Sequence, residues 1–360
     1  MFTRPIVAVA CAAALLCAFA APAGATTARA DVVRTSVEVA GKPFFPVMAI
    51  DQCDAAGAAR ARALGINVIL NESCPGVSPG RQLGLLAGRE LGVLPIAARG
   101  ASGARLAGWT YPDEPENNGW TPGKLARAFP YRRGSDDGLV SFVTTTTAFL
   151  HGSATATRRF AQLADVAGFD LYPLNHCQTD LSAVYDAQRA FVQLVGRMPT
   201  FQWIETGALR PTYCGGFQMS PAQLTAEAWL AVAGGARGIG FFTHTLGPDR
   251  EFDVTAPVAH AMWRFASLAS AVQPGLVGET VPSSSNSGAI KVLARVGAGG
   301  STYVFAVNAQ PQWVKAQLNV PNLANGSARA FGEKRAVAVS GHALVDTWSP
   351  LAVHVYVQGG

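Results

Sequence analysis

Two glutamates stand where hydrolytic chemistry is easiest to place. Glu114 lies in Trp109-Thr110-Tyr111-Pro112-Asp113-Glu114-Pro115-Glu116, and Glu205 in Phe201-Gln202-Trp203-Ile204-Glu205-Thr206-Gly207. Each ends a short apolar run and has a tryptophan a few residues upstream. If both runs are strands of one barrel, both carboxyl groups lie at one rim. Cleaving an acetal near neutral pH needs a protonated acid at the leaving oxygen. It also needs a carboxylate that attacks the anomeric carbon or activates water. Two facing carboxyls beside aromatic rings supply both parts.

The elements that must position them alternate along the chain. Apolar runs read as strands at Pro43–Ile50, Ile66–Leu70, Val93–Ala97, Leu106–Tyr111, Val140–Thr145, Ala167–Tyr172, Thr200–Ile204 and Gly238–Phe242. They are short and apolar on both faces, as strands buried between layers are. Helical stretches lie between them at Ala55–Leu64, Gly80–Leu91, Thr155–Leu163, Leu181–Val195 and Pro221–Val232, and Ala256–Val272 closes the series. Eight such strands with helices between predict an α/β fold, a (β/α)₈ TIM barrel. One repeat is reduced, because the segment Arg99 to Arg105 between the third and fourth strands is too short for a helix. A doubly wound open sheet is the competing fold, but no glycine-rich phosphate loop follows the first strand. Beyond Pro274 the pattern changes. Ser283–Ser287 reads as a polar linker, and Ile290–Val296, Thr302–Val307, Val314–Val320, Arg335–Val339 and Ala352–Val357 read as strands of a small all-β, sandwich-like module. The expected divisions are a leader over 1–30, a catalytic barrel over 31–275 and an accessory β domain over 276–360.

A barrel of this kind carries its site at the C-terminal ends of its strands. The side chains delivered there are Asp51, Asn71, Glu72, Asp113, Glu114, Tyr172, Asn175, Glu205 and His244. Glu114 and Glu205 are the expected catalytic pair. Asp51, Glu72, Asp113, Tyr172, Asn175 and His244 are expected at the substrate. Trp109 and Trp203 join them as sugar platforms, with barrel core as the equally weighted alternative.

With these residues in place, the chain resembles the clan A glycoside hydrolases, retaining (β/α)₈ glycosidases with an acid/base Glu after the fourth strand and a nucleophilic Glu after the seventh. The resemblance covers roughly residues 39–275. It rests on Trp109-(x)₃-Asp113-Glu114-Pro115 and Trp203-Ile204-Glu205. Gly168-Phe169-Asp170-Leu171-Tyr172-Pro173, Gly235-Ala236-Arg237-Gly238-Ile239-Gly240-Phe241-Phe242 and Gly41-Lys42-Pro43-Phe44-Phe45 support it. It implies that Glu114 is acid/base, that Glu205 is the nucleophile and that Tyr172 hydrogen-bonds Glu205. Asp113 stands where the family usually has Asn, the residue that holds the sugar 2-hydroxyl. A carboxylate there would help keep its neighbour protonated.

Composition narrows the setting. Arg4 followed by the apolar run Ile6–Ala20, with small-residue sites at Ala23-Gly24-Ala25 and Ala28-Arg29-Ala30, predicts a secretory signal peptide. The run is short against the ~20 residues of a membrane span, so no stable span is expected after cleavage. Residues 1–30 hold Arg4 and Arg29 and no acid, so their loss takes the formal charge from +5 to +3. No basic run is present, which excludes nucleic acid as a partner. An oligo- or polysaccharide is the expected partner, outside the cell or in the periplasm. Cys53, Cys74, Cys177 and Cys214 remain in the exported chain, and four cysteines allow three pairings. Cys53 and Cys74 follow the first and second strands, and Cys177 and Cys214 the sixth and seventh. Cys53–Cys74 with Cys177–Cys214 is therefore the pairing that joins neighbouring loops on both sides. There is no Cys-x-x-Cys pair, and the six histidines are scattered, so no metal or cofactor is expected. Two other functions compete with hydrolysis: an inactive carbohydrate-binding barrel, and a metal-dependent deacetylase, which would need a ligand cluster.

Overall fold

The computed structural model describes residues 29–33, 35–131, 134, 138–209, 213–243 and 254–359. Eight parallel strands close into a barrel: β4 (Val47–Ile50), β5 (Val68–Leu70), β6 (Leu91–Pro95), β7 (Leu106–Thr110), β8 (Val140–Thr145), β9 (Val166–Asp170), β10 (Thr200–Glu205) and β11 (Gly238–Phe242). Each pairs with the next in sequence, and β11 returns to β4. The outer layer holds α1 (Ala55–Ala63), α2 (Pro79–Gly84), α3 (Pro122–Ala128), α4 (Ala154–Ala161), α5 (Ser182–Val195), α6 (Pro221–Gly234) and α7 (Ala256–Ala271), followed by the single turn α8 (Gln273–Leu276). Between β6 and β7 there is only a turn of 3₁₀ helix, Ile96–Ala98, so the third repeat is the reduced one.

The barrel closes around aromatic bulk that neighbouring glycines admit. Phe201 and Trp203 of β10 point inward and are almost fully buried. A Cβ on Gly168 of β9 would lie 2.3 Å from the Phe201 ring, and one on Gly240 of β11 would lie 2.2 Å from the Trp203 ring. Those glycines give up side-chain packing of their own so that the seventh strand can fill the interior. Their register fits, since Trp203 pairs directly with Gly240 and Phe201 with Gly168. Helix starts follow ordinary capping chemistry. Ser220 caps α6 in a reciprocal box with Gln223, Pro221 opens the helix, and Gly235 at φ 112° ends it. The segment 80–91 yields only the short α2, because Gly84 and Gly88 interrupt the helical period.

Residues 30–44 form an antiparallel sheet of β1 (Ala30–Val33), β2 (Ser36–Val39) and β3 (Lys42–Phe44). Ala40 and Gly41, at φ 51° and 72°, make the tight turn between its last two strands. Ala30 and Val37 pack with Val68, Leu91, Val140 and Val166, so this sheet plugs the barrel at the N-terminal ends of its strands. The lead-in read at Gly41–Phe45 is thus the last part of a floor. Arg29 and Ala30, expected in the leader, belong to the fold. Ala40 N–H donates to the Arg29 carbonyl at 2.7 Å, and Ala30 N–H to the Gly138 carbonyl at 2.7 Å.

After α8 comes one curled antiparallel sheet of nine strands. They are β12 (Glu279–Val281), β13 (Ser284–Ser285), β14 (Ile290–Val296), β15 (Thr302–Asn308), β16 (Val314–Asn319), β17 (Gly326–Ala330), β18 (Arg335–Ser340), β19 (Ala343–Trp348) and β20 (Val353–Gln358). The segment expected as a polar linker contributes β13, which pairs with β16. One face of the sheet encloses its own core around Trp348 and Tyr356. The other packs on the barrel: Phe305 stacks on Trp229 of α6 with centroids 5.8 Å apart, and Leu293, Val307 and Val355 join the barrel's core. Arg295, fully buried, donates to the carbonyls of Gly235, Ala236 and Leu276. Arg237 donates to Leu276 and Gly278 at 3.0 and 2.7 Å. The guanidinium groups thus bind carbonyls at the C-terminal ends of α6 and α8, where cations are favoured.

Candidate active site

The C-terminal rim of the barrel carries a cluster of acids. Asp51 follows β4 at φ 46°, and its Oδ1 accepts from Glu72 N–H at 2.6 Å and Ser73 N–H at 3.0 Å. Burial raises the Asp51 pKa, and those two donors partly offset the rise. Glu72 follows β5. Burial first, then the charges of Asp113, Asp51, Asp170 and Glu114, hold it well above the ordinary carboxyl range. Its Oε1 is buried without a hydrogen-bond partner among the described residues.

The loop after β7 is built to hold Glu114. Glu114 sits at φ 39°, in the left-handed region that non-glycine residues seldom occupy. Its backbone carbonyl accepts from Asn117 N–H at 2.9 Å, and the Asn117 side-chain amide donates to its Oε2 at 2.9 Å. The Asn118 side-chain amide donates to the Asp113 carbonyl at 2.7 Å. Glu116 anchors the loop to the end of β8, accepting from Thr146 N–H at 2.6 Å and Thr146 Oγ1–H at 3.0 Å. Asp113 is open to solvent yet lies in a crowded concavity. That desolvation, with Glu114 next to it, pushes its pKa up to about 7.

Asp170 ends β9 and was not among the expected site residues. Its strand neighbours Ala167 and Phe169 face the helices, whereas Val166 and Tyr172 face the barrel interior, so Asp170 faces inward. Burial, then Glu114 and Asp113, hold it well above the usual carboxyl range. The strand's alternation could have revealed it, since Asp170 is the single acid in the Gly168–Pro173 run.

Glu205 has different company. It is fully buried at the end of β10. Leu174 N–H donates to its Oε1 at 2.8 Å, Asn175 N–H donates to Oε2 at 3.0 Å, and the Asn175 side-chain amide also donates to Oε2. Asn175 in turn donates to the Gly207 carbonyl at 3.0 Å and accepts from Leu209 N–H at 2.7 Å. Glu227 of α6 is a second fully buried acid close enough to Glu205 for the two to act on each other's charge. Burial, then the Glu205 charge, holds Glu227 well above the usual carboxyl range. Burial lifts Glu205 itself to about 7, with Leu174 and Asn175 pulling the other way. Glu227 was missed because it stands on a helix of the outer layer, away from the strand ends where site residues were expected. Asn175, rather than Tyr172, supplies the side-chain hydrogen bond to Glu205. The Tyr172 ring lies beside Phe242 at 5.3 Å and is 6% exposed.

The two tryptophans take the core alternative. Trp109 is 3% exposed and packs toward the helices. Trp203 is 1% exposed inside the barrel, its Nε1–H donating to Thr144 Oγ1 at 3.1 Å. Neither offers a face to a sugar in this structure. His244 lies outside the described residues. Among the described residues, no three His, Cys, Asp or Glu side chains are arranged to hold a metal ion. Two disulfides staple the rim loops. Cys53–Cys74 has its Cα atoms 5.4 Å apart and Cys177–Cys214 5.1 Å apart, in the pairing expected from the strand order.

Comparison with known proteins adds the fold's relatives. No family model matches the chain, and no curated protein matches it in sequence. Among solved structures, an α-amylase from Geobacillus thermoleovorans complexed with acarbose superposes with a TM-score of 0.56. It is 10% identical, over 87% of this chain and 98% of that one. A maltogenic α-amylase from Thermotoga neapolitana gives 0.54 at 10% identity, over 87% and 99%. A putative α-galactosidase/melibiase from Bacteroides fragilis gives 0.53 at 12%, over 87% and 79%. The resemblance to (β/α)₈ glycoside hydrolases extends to the fold: a closed eight-stranded parallel barrel followed by a C-terminal β domain.

Proposed function

We propose that this protein is a secreted glycoside hydrolase whose chemistry centres on Glu114. The observation that carries the reading is the acid cluster of Asp51, Glu72, Asp113, Glu114 and Asp170 at the C-terminal rim. Crowded carboxyls cannot all ionise. The cup therefore holds a proton and a negative charge side by side near neutral pH, which is what acid-assisted acetal cleavage needs. The fold's relatives include proteins solved with acarbose, maltotriose and maltose, so α-glucans and α-galactosides are the first substrates to try. Disulfides at Cys53–Cys74 and Cys177–Cys214 suit an oxidising compartment. Among the described residues no helix is long and apolar enough to cross a membrane.

The sequence reading assigns double displacement with retention, Glu114 protonating and Glu205 attacking. Under it, Glu205 must first be released from Leu174 and Asn175. Its enclosure favours either a different partner for Glu114 or a second reading, a barrel that binds sugar without cleaving it. A panel of aryl glycosides and oligosaccharides tests the function. Wild-type protein is expected to turn over at least one of them, and Glu114→Gln to lose on the order of 10³-fold in kcat. Saturable sugar binding with no turnover by the wild type would select the binding barrel.

A further inference from the structure

We propose that Glu205 is a positioning residue of the candidate site: its carboxyl holds the turn after β9 in place as a wall of the cup, and it does not attack the anomeric carbon. The proposal rests on the glycosidase reading and deepens it.

The turn that follows β9 needs an acceptor from outside. Leu174–His176 is a single turn of 3₁₀ helix, and Pro173 in front of it makes no side-chain cap. The N–H groups of Leu174 and Asn175 are the opening donors of that turn, the ones a helix cannot satisfy from within. Glu205 satisfies both from the neighbouring strand. Its Oε1 accepts from Leu174 N–H at 2.8 Å, and its Oε2 from Asn175 N–H at 3.0 Å. The Asn175 side-chain amide donates to Oε2 as well. Three of the roughly four acceptor positions of a carboxylate are thus taken, and the residue is fully buried. A nucleophile needs a lone pair presented to the substrate, and a carboxyl enclosed in this way presents none.

What Glu205 holds reaches the cup on both sides. Asn175 carries the connection into the loop after β10. Its side-chain amide donates to the Gly207 carbonyl at 3.0 Å, and its Oδ1 accepts from Leu209 N–H at 2.7 Å. The turn ends at Cys177, which is bridged to Cys214. At its other end, Tyr172 lies two residues before Leu174. The Tyr172 ring meets the Phe242 ring of β11 at 5.3 Å, spanning the end of β10 between them. Asp170, the last residue of β9, lies two residues earlier still. A displaced turn would therefore shift Asp170, Tyr172 and Asn175 against the loop that carries Glu114. A misplacement of about an ångström is enough to cost on the order of 10²-fold in rate.

The test compares wild type, Glu205→Gln and Glu205→Ala on an aryl glycoside that the wild type cleaves. Amide exchange over residues 170–178 is followed in parallel by mass spectrometry. Ala removes every acceptor. Gln keeps one oxygen, and its amide nitrogen faces a donor that it cannot accept from. Protection of the Leu174 and Asn175 amides should fall in the order wild type, Gln, Ala. The value of kcat/KM should fall in the same order, by about tenfold for Gln and on the order of 10²-fold for Ala. Formate or acetate should restore both protection and turnover to Glu205→Ala, with the same product as the wild type. Azide in their place should yield no glycosyl azide. A glycosyl azide from Glu205→Ala overturns the proposal, because azide has then taken the place of an attacking carboxylate. So does a Glu205→Gln that loses more than about 10³-fold in kcat while its turn stays as protected as in the wild type. If Glu205→Ala does not fold, that comparison of protection with rate in Glu205→Gln decides alone. A wild type that cleaves no glycoside removes the glycosidase reading instead. Sugar affinity then replaces kcat/KM in the same series, and an affinity indifferent to Glu205 overturns the positioning role.

Discussion

At the residue scale, two carboxyls of the rim, one enclosed and one crowded by its neighbours, set how the molecule answers to pH. Glu205 and Asp113 are held at about 7, against ordinary values of 4.5 and 3.8. Between those values and 7 the folded chain keeps protons that the unfolded chain releases, so unfolding is favoured as pH rises. The stability linked to these protons is fully present below about 4 and is lost as pH climbs through 7. Glu205, being enclosed, accounts for most of it, on the order of 3 kcal/mol. Calorimetric Tm should therefore fall between pH 5 and pH 8, and Glu205→Gln should flatten the fall. A Tm that climbs over this range would refute the assignment. Little of this was legible in sequence. Glu114 and Glu205 stood out because each ends an apolar run, but which carboxyl faces which depends on loop conformation beyond the strands. Asp51 and Glu114 both adopt positive φ, a turn that no residue type at those positions announces.

At the element scale, the loops after β9 and β10 behave as one tied unit. Glu205, Asn175 and the Cys177–Cys214 bridge connect them at three levels. Cys177–Cys214 spans 37 residues and Cys53–Cys74 spans 21. Each should contribute ~2–4 kcal/mol by restricting the unfolded chain, the longer about 0.5 kcal/mol more. Urea unfolding of Cys177→Ser/Cys214→Ser and Cys53→Ser/Cys74→Ser should show that order, and the first should also expose the loop at 207–216 to protease. Equal stability of the first variant and wild type would remove the restraint. The pairing was readable in advance because strand order alone decides which rim loops are neighbours. Strand positions were readable for a similar reason: β8 and β11 match their apolar runs residue for residue, since both faces are buried. β17 and β19 escaped notice because they alternate buried and exposed positions with polar residues such as Arg329 and Asp346.

At the scale of the whole molecule, the barrel and the C-terminal sheet share a core. Trp229 of α6 stacks on Phe305, and Arg295 reaches the carbonyls that end α6 and α8. A chain ending at residue 278 would bare that surface and leave those carbonyls to water. Such a truncation should not unfold cooperatively, and it should bind hydrophobic dyes. A soluble truncated barrel with unchanged Tm would show that the two parts fold independently. The sequence announced the change of architecture near Pro274 through its change of period. It did not announce the shared interface, because Leu293, Phe305 and Val307 look the same whether they face their own sheet or another layer.

The floor sheet puts the chain's synthesis and its assembly in opposite order. β1 opens on the Gly138 carbonyl, and Ser36 Oγ–H donates to the Val277 carbonyl 241 residues later. The stretch that is synthesised early is therefore among the last to find its partners. Until most of the barrel has followed, it travels as an unpaired β-edge, the kind of surface that recruits other strands. The speed of synthesis, and whatever shields that edge meanwhile, then bear on yield as directly as the stability of the finished fold.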